Sequence, residues 1–252
     1  MDKQPVFFCV CSQKGGVGKS TFTILLANWL HYALGRDVLV VDCDAPQWSI
    51  VAQRERELDV LERNDRYKLM MVRLFKRTGR KIWPVVRSTP YEGLQAARAY
   101  FAAGDREADF VRLDLPGTVA APGIFRLLAQ LDHLFIPLKA DKLVLESALS
   151  FARAVDERLV HNDAHRLTGL HLFWTMVDRR ERTPLYESYG KAFAAIRLPV
   201  LQTQVPYRSR FSKEILDTSG AVGRSTLFPA DRAFAADAAL DALAAEIEKQ
   251  SD

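Results

Sequence analysis

The sequence predicts an α/β fold, a doubly wound, mostly parallel sheet with helices on both faces. Three observations carry that prediction. Short apolar runs rich in β-branched residues recur along the chain, which is how parallel strands covered on both faces read. Stretches of helical period separate them, so strand and helix alternate. The first run leads through a glycine-rich loop into the first helical pattern. With 252 residues and 48% apolar content the chain can bury one substantial core, so residues 1–252 are expected to form a single α/β domain.

Taken in order, strands are expected at residues 6–11, 38–42, 82–87, 110–114, 133–138, 170–177 and 200–205. A helix is expected over 20–34, closed by Gly35 as a left-handed cap. Another is expected over 143–159, where apolar residues recur at three-and-four spacing behind Asp141, a good N-cap. Residues 51–81 form a charged helical stretch and 231–249 an alanine-rich, acidic one. In such sheets ligands gather at the carboxyl ends of the strands, where the glycine-rich loop, Asp42, Asp44 and Asp114 all emerge.

The loop reads Gln13-Lys14-Gly15-Gly16-Val17-Gly18-Lys19-Ser20-Thr21. Glycines let the backbone turn tightly around an anion, so that successive N–H groups face a polyphosphate. The helix that follows adds its free amides and the positive end of its dipole. Lys19 is placed for the β and γ phosphates and the Ser20 hydroxyl for Mg2+. The ligand so predicted is a nucleoside triphosphate. Gln13 stands where the common form of the motif has glycine, and a second lysine, Lys14, lies inside the loop.

Asp114 ends an apolar run ahead of Leu115-Pro116-Gly117, where a carboxylate can hold Mg2+ directly or through water. Gly117 can offer a backbone N–H to the γ phosphate and move when that phosphate leaves. Asp42 and Asp44 bracket Cys43, and the period-two geometry of a strand puts both carboxylates on one side, which favours a nearby cation.

The run Lys14-Gly15-Gly16-Val17-Gly18-Lys19-Ser20-Thr21 resembles the deviant Walker A loop of the ParA/MinD family of P-loop ATPases. The likeness continues at residues 38–44 and 110–117 and more loosely to about residue 220, so it covers most of the chain. It implies ATP and Mg2+ as ligands, slow and partner-stimulated hydrolysis, and a nucleotide-sandwich homodimer in which Lys14 reaches the partner subunit's phosphates. It also implies that Asp44 orients the attacking water while Asp42 supports magnesium. The family has proline directly after the second aspartate, whereas Ala45 precedes Pro46 here. Asp178 and Pro206 fall in segments similar to those that flank the adenine.

Charge is uneven. Residues 54–81 hold ten basic against five acidic residues, residues 179–224 nine against four, and residues from 230 onward two against six. The two basic zones fit a polyanion and fit solvated faces equally well. Arg179, Arg180, Arg182, Arg208, Arg210, Lys213 and Arg224 are the candidates for a phosphate-backbone patch, because ParA-type relatives bind DNA non-specifically through late basic residues. The same relatives have a ParB-like activating partner. A MinD-like membrane role needs a basic amphipathic C-terminal helix, which the acidic tail contradicts, so no membrane partner is expected.

Cys9, Cys11 and Cys43 read as buried strand thiols of a reducing compartment, and no Cys-x-x-Cys pair supports a metal cluster. The five histidines are dispersed, and the N-terminus lacks the apolar core of a signal peptide. A cytoplasmic protein, with the nucleoid as its site when bound to DNA, and without an N-terminal helix-turn-helix, is expected. A metabolite-using ligase or kinase on the same scaffold would need a second polar pocket beside the γ phosphate, for which the sequence offers no constellation.

Overall fold

A computed structural model describes residues 4–104, 107–117, 123–178, 180, 183–215 and 222–251. Its strands are β1 (Val6–Val10), β2 (Val38–Asp42), β3 (Val85–Arg87), β4 (Phe110–Asp114), β5 (His133–Leu138) and β6 (Gly169–Trp174). They form one six-stranded sheet in the order β3-β2-β4-β1-β5-β6, every neighbouring pair parallel. β2 and β4 are buried at every position, which is why they read as largely apolar runs, β4 with Arg112 in its interior.

The period-two pleat sorts side chains into two cores. Cys9, Cys11, Leu39, Val41 and Leu113 face one layer. That layer includes α4 (Gly93–Ala102), α5 (Ile124–Leu128) and α6 (Lys142–Val155). Phe8, Val10, Val38, Val40 and Phe110 face the other. There α1 (Lys19–Asn28) packs with α2 (Ser49–Arg63) and α3 (Asp65–Thr78). A further helix, α7 (Leu185–Ala195), packs Phe193 into the first core.

The expected first helix ends in a π-helical turn, Trp29–Ala33, before Gly35 at φ +71°. The 51–81 stretch is two helices, because the Asn64 side chain accepts from Arg66 N and Tyr67 N and restarts the chain as α3. The acidic tail likewise divides, into α8 (Arg232–Asp237) and α9 (Leu240–Ser251), at the left-handed Ala239.

Three strand expectations change, the sixth because β6 ends at Trp174 rather than at residue 177. The third shortens to β3, since Pro84 has no N–H to donate and the Trp83 indole is drawn inward to Asn28 Oδ1 at 2.9 Å. The seventh, 200–205, survives only as single parallel bridges, Leu172 with Val200 and Val177 with Pro206. Its interior N–H groups are taken by a side chain: Gln202 N and Thr203 N donate to the Glu246 carboxylate at 2.8 and 3.0 Å. No described helix is long and apolar enough to cross a membrane.

Candidate nucleotide-binding site

The loop between β1 and α1 turns on Gly16 at φ +75° and Gly18 at φ +93°, conformations that a side chain rarely tolerates. A Cβ added at Gly15 or Gly16 would meet nothing within 4 Å, so the space beside the loop backbone is open. The Ser12 hydroxyl and the Lys14 backbone hold the approach, with Lys14 N donating to Ser12 Oγ at 3.1 Å. Gln13 ties the loop to α6 by accepting from Ser147 Oγ at 3.0 Å. Lys19 is buried, and its Nζ donates to Lys14 O at 3.1 Å, within the loop's own curve. Lys14 is exposed. Val17 is buried beneath the loop, and Gly117 sits against Lys19, whose Nζ lies 3.8 Å from where a Gly117 Cβ would be.

Below the loop is an oxygen-rich cluster. Ser20 Oγ donates to Asp114 Oδ2 at 2.7 Å, and Thr23 Oγ1 lies 3.1 Å from Asp114 Oδ1. Thr23 was missed in the sequence, although it lies one helical turn after Ser20 on the same face of α1. Asp114 and Asp42 are directly opposite in the β2–β4 register. Burial pushes Asp114 up to about 7; the Ser20 hydroxyl opposes that rise and the Asp42 charge adds to it. Burial also raises Asp44, against the pull of the Lys19 ammonium. A buried carboxylate raised in this way gains from a divalent cation, and a hydroxyl with one carboxylate leaves room for phosphate oxygens, the habit of Mg2+. Residues and ligand therefore fit. Among the described residues no group of three His, Cys, Asp or Glu gathers as a self-sufficient metal cage.

Asp42 has a role the sequence did not suggest. Its Oδ2 accepts from Ile50 N at 3.0 Å and Val51 N at 3.1 Å, and its Oδ1 from Asp44 N at 3.2 Å. It thereby satisfies free amides at the start of α2 and fixes the turn that carries Asp44. That turn contains a cis Ala45–Pro46 peptide and the left-handed Trp48, whose amide donates to Asp44 O at 2.8 Å.

Asp178 and Pro206 are brought together at the carboxyl end of β6, through the Val177–Pro206 bridge and Tyr207 N donating to Val177 O at 3.0 Å. Pro206 is buried, and Asp178 is held by Arg180 in an exposed pair at 3.1 Å.

The basic candidates do not assemble as one open patch. Arg208 pairs with Asp237 at 2.5 Å and Arg210 with Asp231 at 2.7 Å. Arg224 lies beside α1 instead: its Nη1 donates to Thr21 Oγ1 at 3.2 Å and its Nη2 to Glu214 Oε1 at 3.0 Å. Lys213 is exposed, and Arg179 and Arg182 lie outside the described residues.

A glycine-turned anion loop entering α1, with a carboxylate at the end of an adjacent parallel strand, defines a P-loop nucleotide-binding protein. The chain belongs to the CobQ/CobB/MinD/ParA nucleotide-binding domain family, whose model matches residues 8–221. It is 27% identical over 220 residues to the chromosome-partitioning ATPase Soj of Thermus thermophilus, covering 73% of this chain and 86% of that one. It is also 34% identical over 124 residues to the iron-sulfur cluster carrier protein of Bacillus subtilis, a match spanning 46% of this chain and 34% of that protein's length. Among solved structures, a ParA family ATPase from Chlorobium tepidum matches with a TM-score of 0.56 at 16% identity, over 89% of this chain and 91% of that one. The ParA of pNOB8, solved bound to nonspecific DNA, matches with a TM-score of 0.51 at 19% identity, over 79% of each chain. The solved structures establish a shared fold.

Proposed function

We propose that this chain is a single-domain, cytoplasmic ATP-driven switch that closes into a nucleotide-sandwich homodimer, hydrolyses ATP slowly, and serves partitioning of DNA or maintenance and transfer of a mobile element. The observation that carries it is the pairing of an exposed Lys14 with a buried Lys19 across one amide-lined loop. One lysine is enclosed with the site, and the other faces outward, where a second subunit can be met. The Soj likeness over 86% of that ATPase supports the partitioning role, and non-specific DNA and a ParB-like activator are the partners proposed.

In this mechanism the amides of residues 15–21 and Lys19 hold the phosphates. Ser20 and Asp114 would hold magnesium, which would supply charge neutralisation at the phosphates. Asp44, fixed by the turn that Asp42 caps, accepts a hydrogen bond from the attacking water. Water adds to the γ phosphorus, the bond to ADP breaks, and phosphate leaves. Gly117, beside Lys19, donates its N–H to the γ phosphate, and Asp178 and Pro206 border the adenine.

Light scattering and phosphate release with ATP, ADP and no nucleotide test the reading. The parent should dimerise with ATP alone. Lys19→Ala should lose nucleotide by about 100-fold or more, the scale of removing a charged phosphate contact. Lys14→Ala should keep ADP binding yet lose the dimer and turnover; normal dimerisation and hydrolysis by that variant would overturn the proposal.

A further inference from the structure

The basic zone at 54–81 is not absorbed by the nucleotide site, and it borders a groove of about 610 Å3 between α3 and residues 228–232. Its floor is apolar, made by Trp29, Met70, Leu74 and Phe228. Its rim carries Arg73, Arg77 and Arg232. Elsewhere on this surface arginines meet carboxylates, as in Arg36–Glu248, Arg80–Asp37 and Arg208–Asp237. Among the described residues none of the three rim arginines has an ion-pair partner. Asp231, the one acid at the groove, is already held by Arg210 at 2.7 Å.

α3 as a whole carries Arg66, Lys68, Arg73, Lys76 and Arg77 against Asp65, five positive less one negative, a net charge of +4. Leu69 and Val72 of the same helix are 49% and 48% exposed, outside the groove's lining.

We propose that this groove docks an acidic amphipathic helix of a protein partner. Apolar side chains at three-and-four spacing enter the floor, and carboxylates on the flank of the same helix meet the rim. Arg73 and Arg77 are one turn apart on α3, a spacing of about 6 Å that matches two acids at i and i+4 on an incoming helix. Guanidinium forks suit such carboxylates bidentately. A nucleic-acid backbone would leave the apolar floor unanswered, and a flat lipid surface would not enter a concave groove. The surface is separate from the phosphate loop, so the inference stands apart from the ATPase reading.

The probe is a fluorescein-labelled peptide of about four helical turns, with leucines at three-and-four spacing and glutamates elsewhere. It is compared with a scrambled peptide of the same composition and with a version carrying lysine for glutamate. Anisotropy is read without nucleotide, so that failure here leaves the ATPase reading untouched. The acidic amphipathic peptide should bind at least about tenfold more tightly than either control. Arg73→Glu combined with Arg77→Glu should weaken it about tenfold or more, while Lys142→Glu on α6 changes nothing and ATP turnover of the double variant stays at the parent value. Met70→Ala, at a half-buried position, should weaken it with the arginines intact. Equal binding of all three peptides, or full binding by the double variant, overturns the proposal. So does the double variant losing affinity for duplex DNA or anionic vesicles while its peptide affinity is unchanged.

Discussion

At the scale of single residues, His171 shows how burial without a partner becomes a dependence on pH. Its ring stacks on Phe135, centroids 5.1 Å apart, and faces His133 at 5.6 Å. His171 Nε2 and His133 Nδ1 are buried, with no hydrogen-bond partner among the described residues. Burial, then the neighbouring His133, lowers His171 from 6.5 to about 4, with Glu246 opposing. His133 is lowered too, by burial against the pull of Asp132. A base whose folded pKa is depressed contributes its stability above the unfolded value and loses it as the unfolded chain takes up protons. The His171 contribution is therefore complete above pH 6.5 and declines toward pH 4. His171→Phe keeps the stacked ring and removes the titration. Relative to the parent, its stability should rise by roughly 3 kcal/mol as pH falls through that window. Urea midpoints measured for both proteins across the window check this; a constant gap between them would refute it.

At the scale of elements, a buried polar network holds α2 to the segment after residue 222. Glu57 is fully buried and accepts from Thr226 N and Thr226 Oγ1 at 2.7 Å, Gln53 Nε2 at 2.9 Å and Ser225 Oγ at 3.0 Å. Arg54 donates to Thr226 Oγ1 and O and to Trp83 O, its guanidinium 4.3 Å over the Trp83 ring. Burial lowers Arg54 to about 10, so it remains charged near neutrality. Removing the carboxylate strands donors that water cannot reach. Glu57→Ala should cost about 3 kcal/mol and lower Tm by about 6–12 °C; an unchanged midpoint would show the network to be dispensable. None of this was legible in the sequence, where residues 54–57 read as solvated charge. What was legible is local. Most strands announced themselves because burial on both faces leaves a largely apolar run, and the phosphate loop because its parts are contiguous. The run at 200–205 is interrupted by Gln202, Thr203 and Gln204, and Glu246, 44 residues beyond Gln202, occupies its N–H groups. Arg224 on Thr21 likewise depends on a partner 203 residues away along the chain.

At the scale of the whole molecule, the net charge of +4 overstates the cations that one copy offers to DNA. Arg180, Arg208 and Arg210 each face a carboxylate at 3.1 Å or less. Such exposed pairs contribute only about 0–1 kcal/mol each, so a phosphate can take the place of the acid at little cost. Weak contacts gain from duplication, and the ATP-held dimer proposed above would present each arginine twice. Co-sedimentation with DNA should accordingly require ATP and fall steeply with salt, each phosphate contact adding about −0.9 to the slope of log K against log salt. Arg208→Ala should flatten that slope by about 1.8, two copies at about 0.9 each. Asp237→Asn should act in the opposite sense, releasing Arg208 from its 2.5 Å pair and tightening DNA binding at every salt concentration. If Arg208 instead stays on Asp237 when DNA is present, both variants would keep the parent slope, and the DNA-facing surface must then lie elsewhere on the dimer.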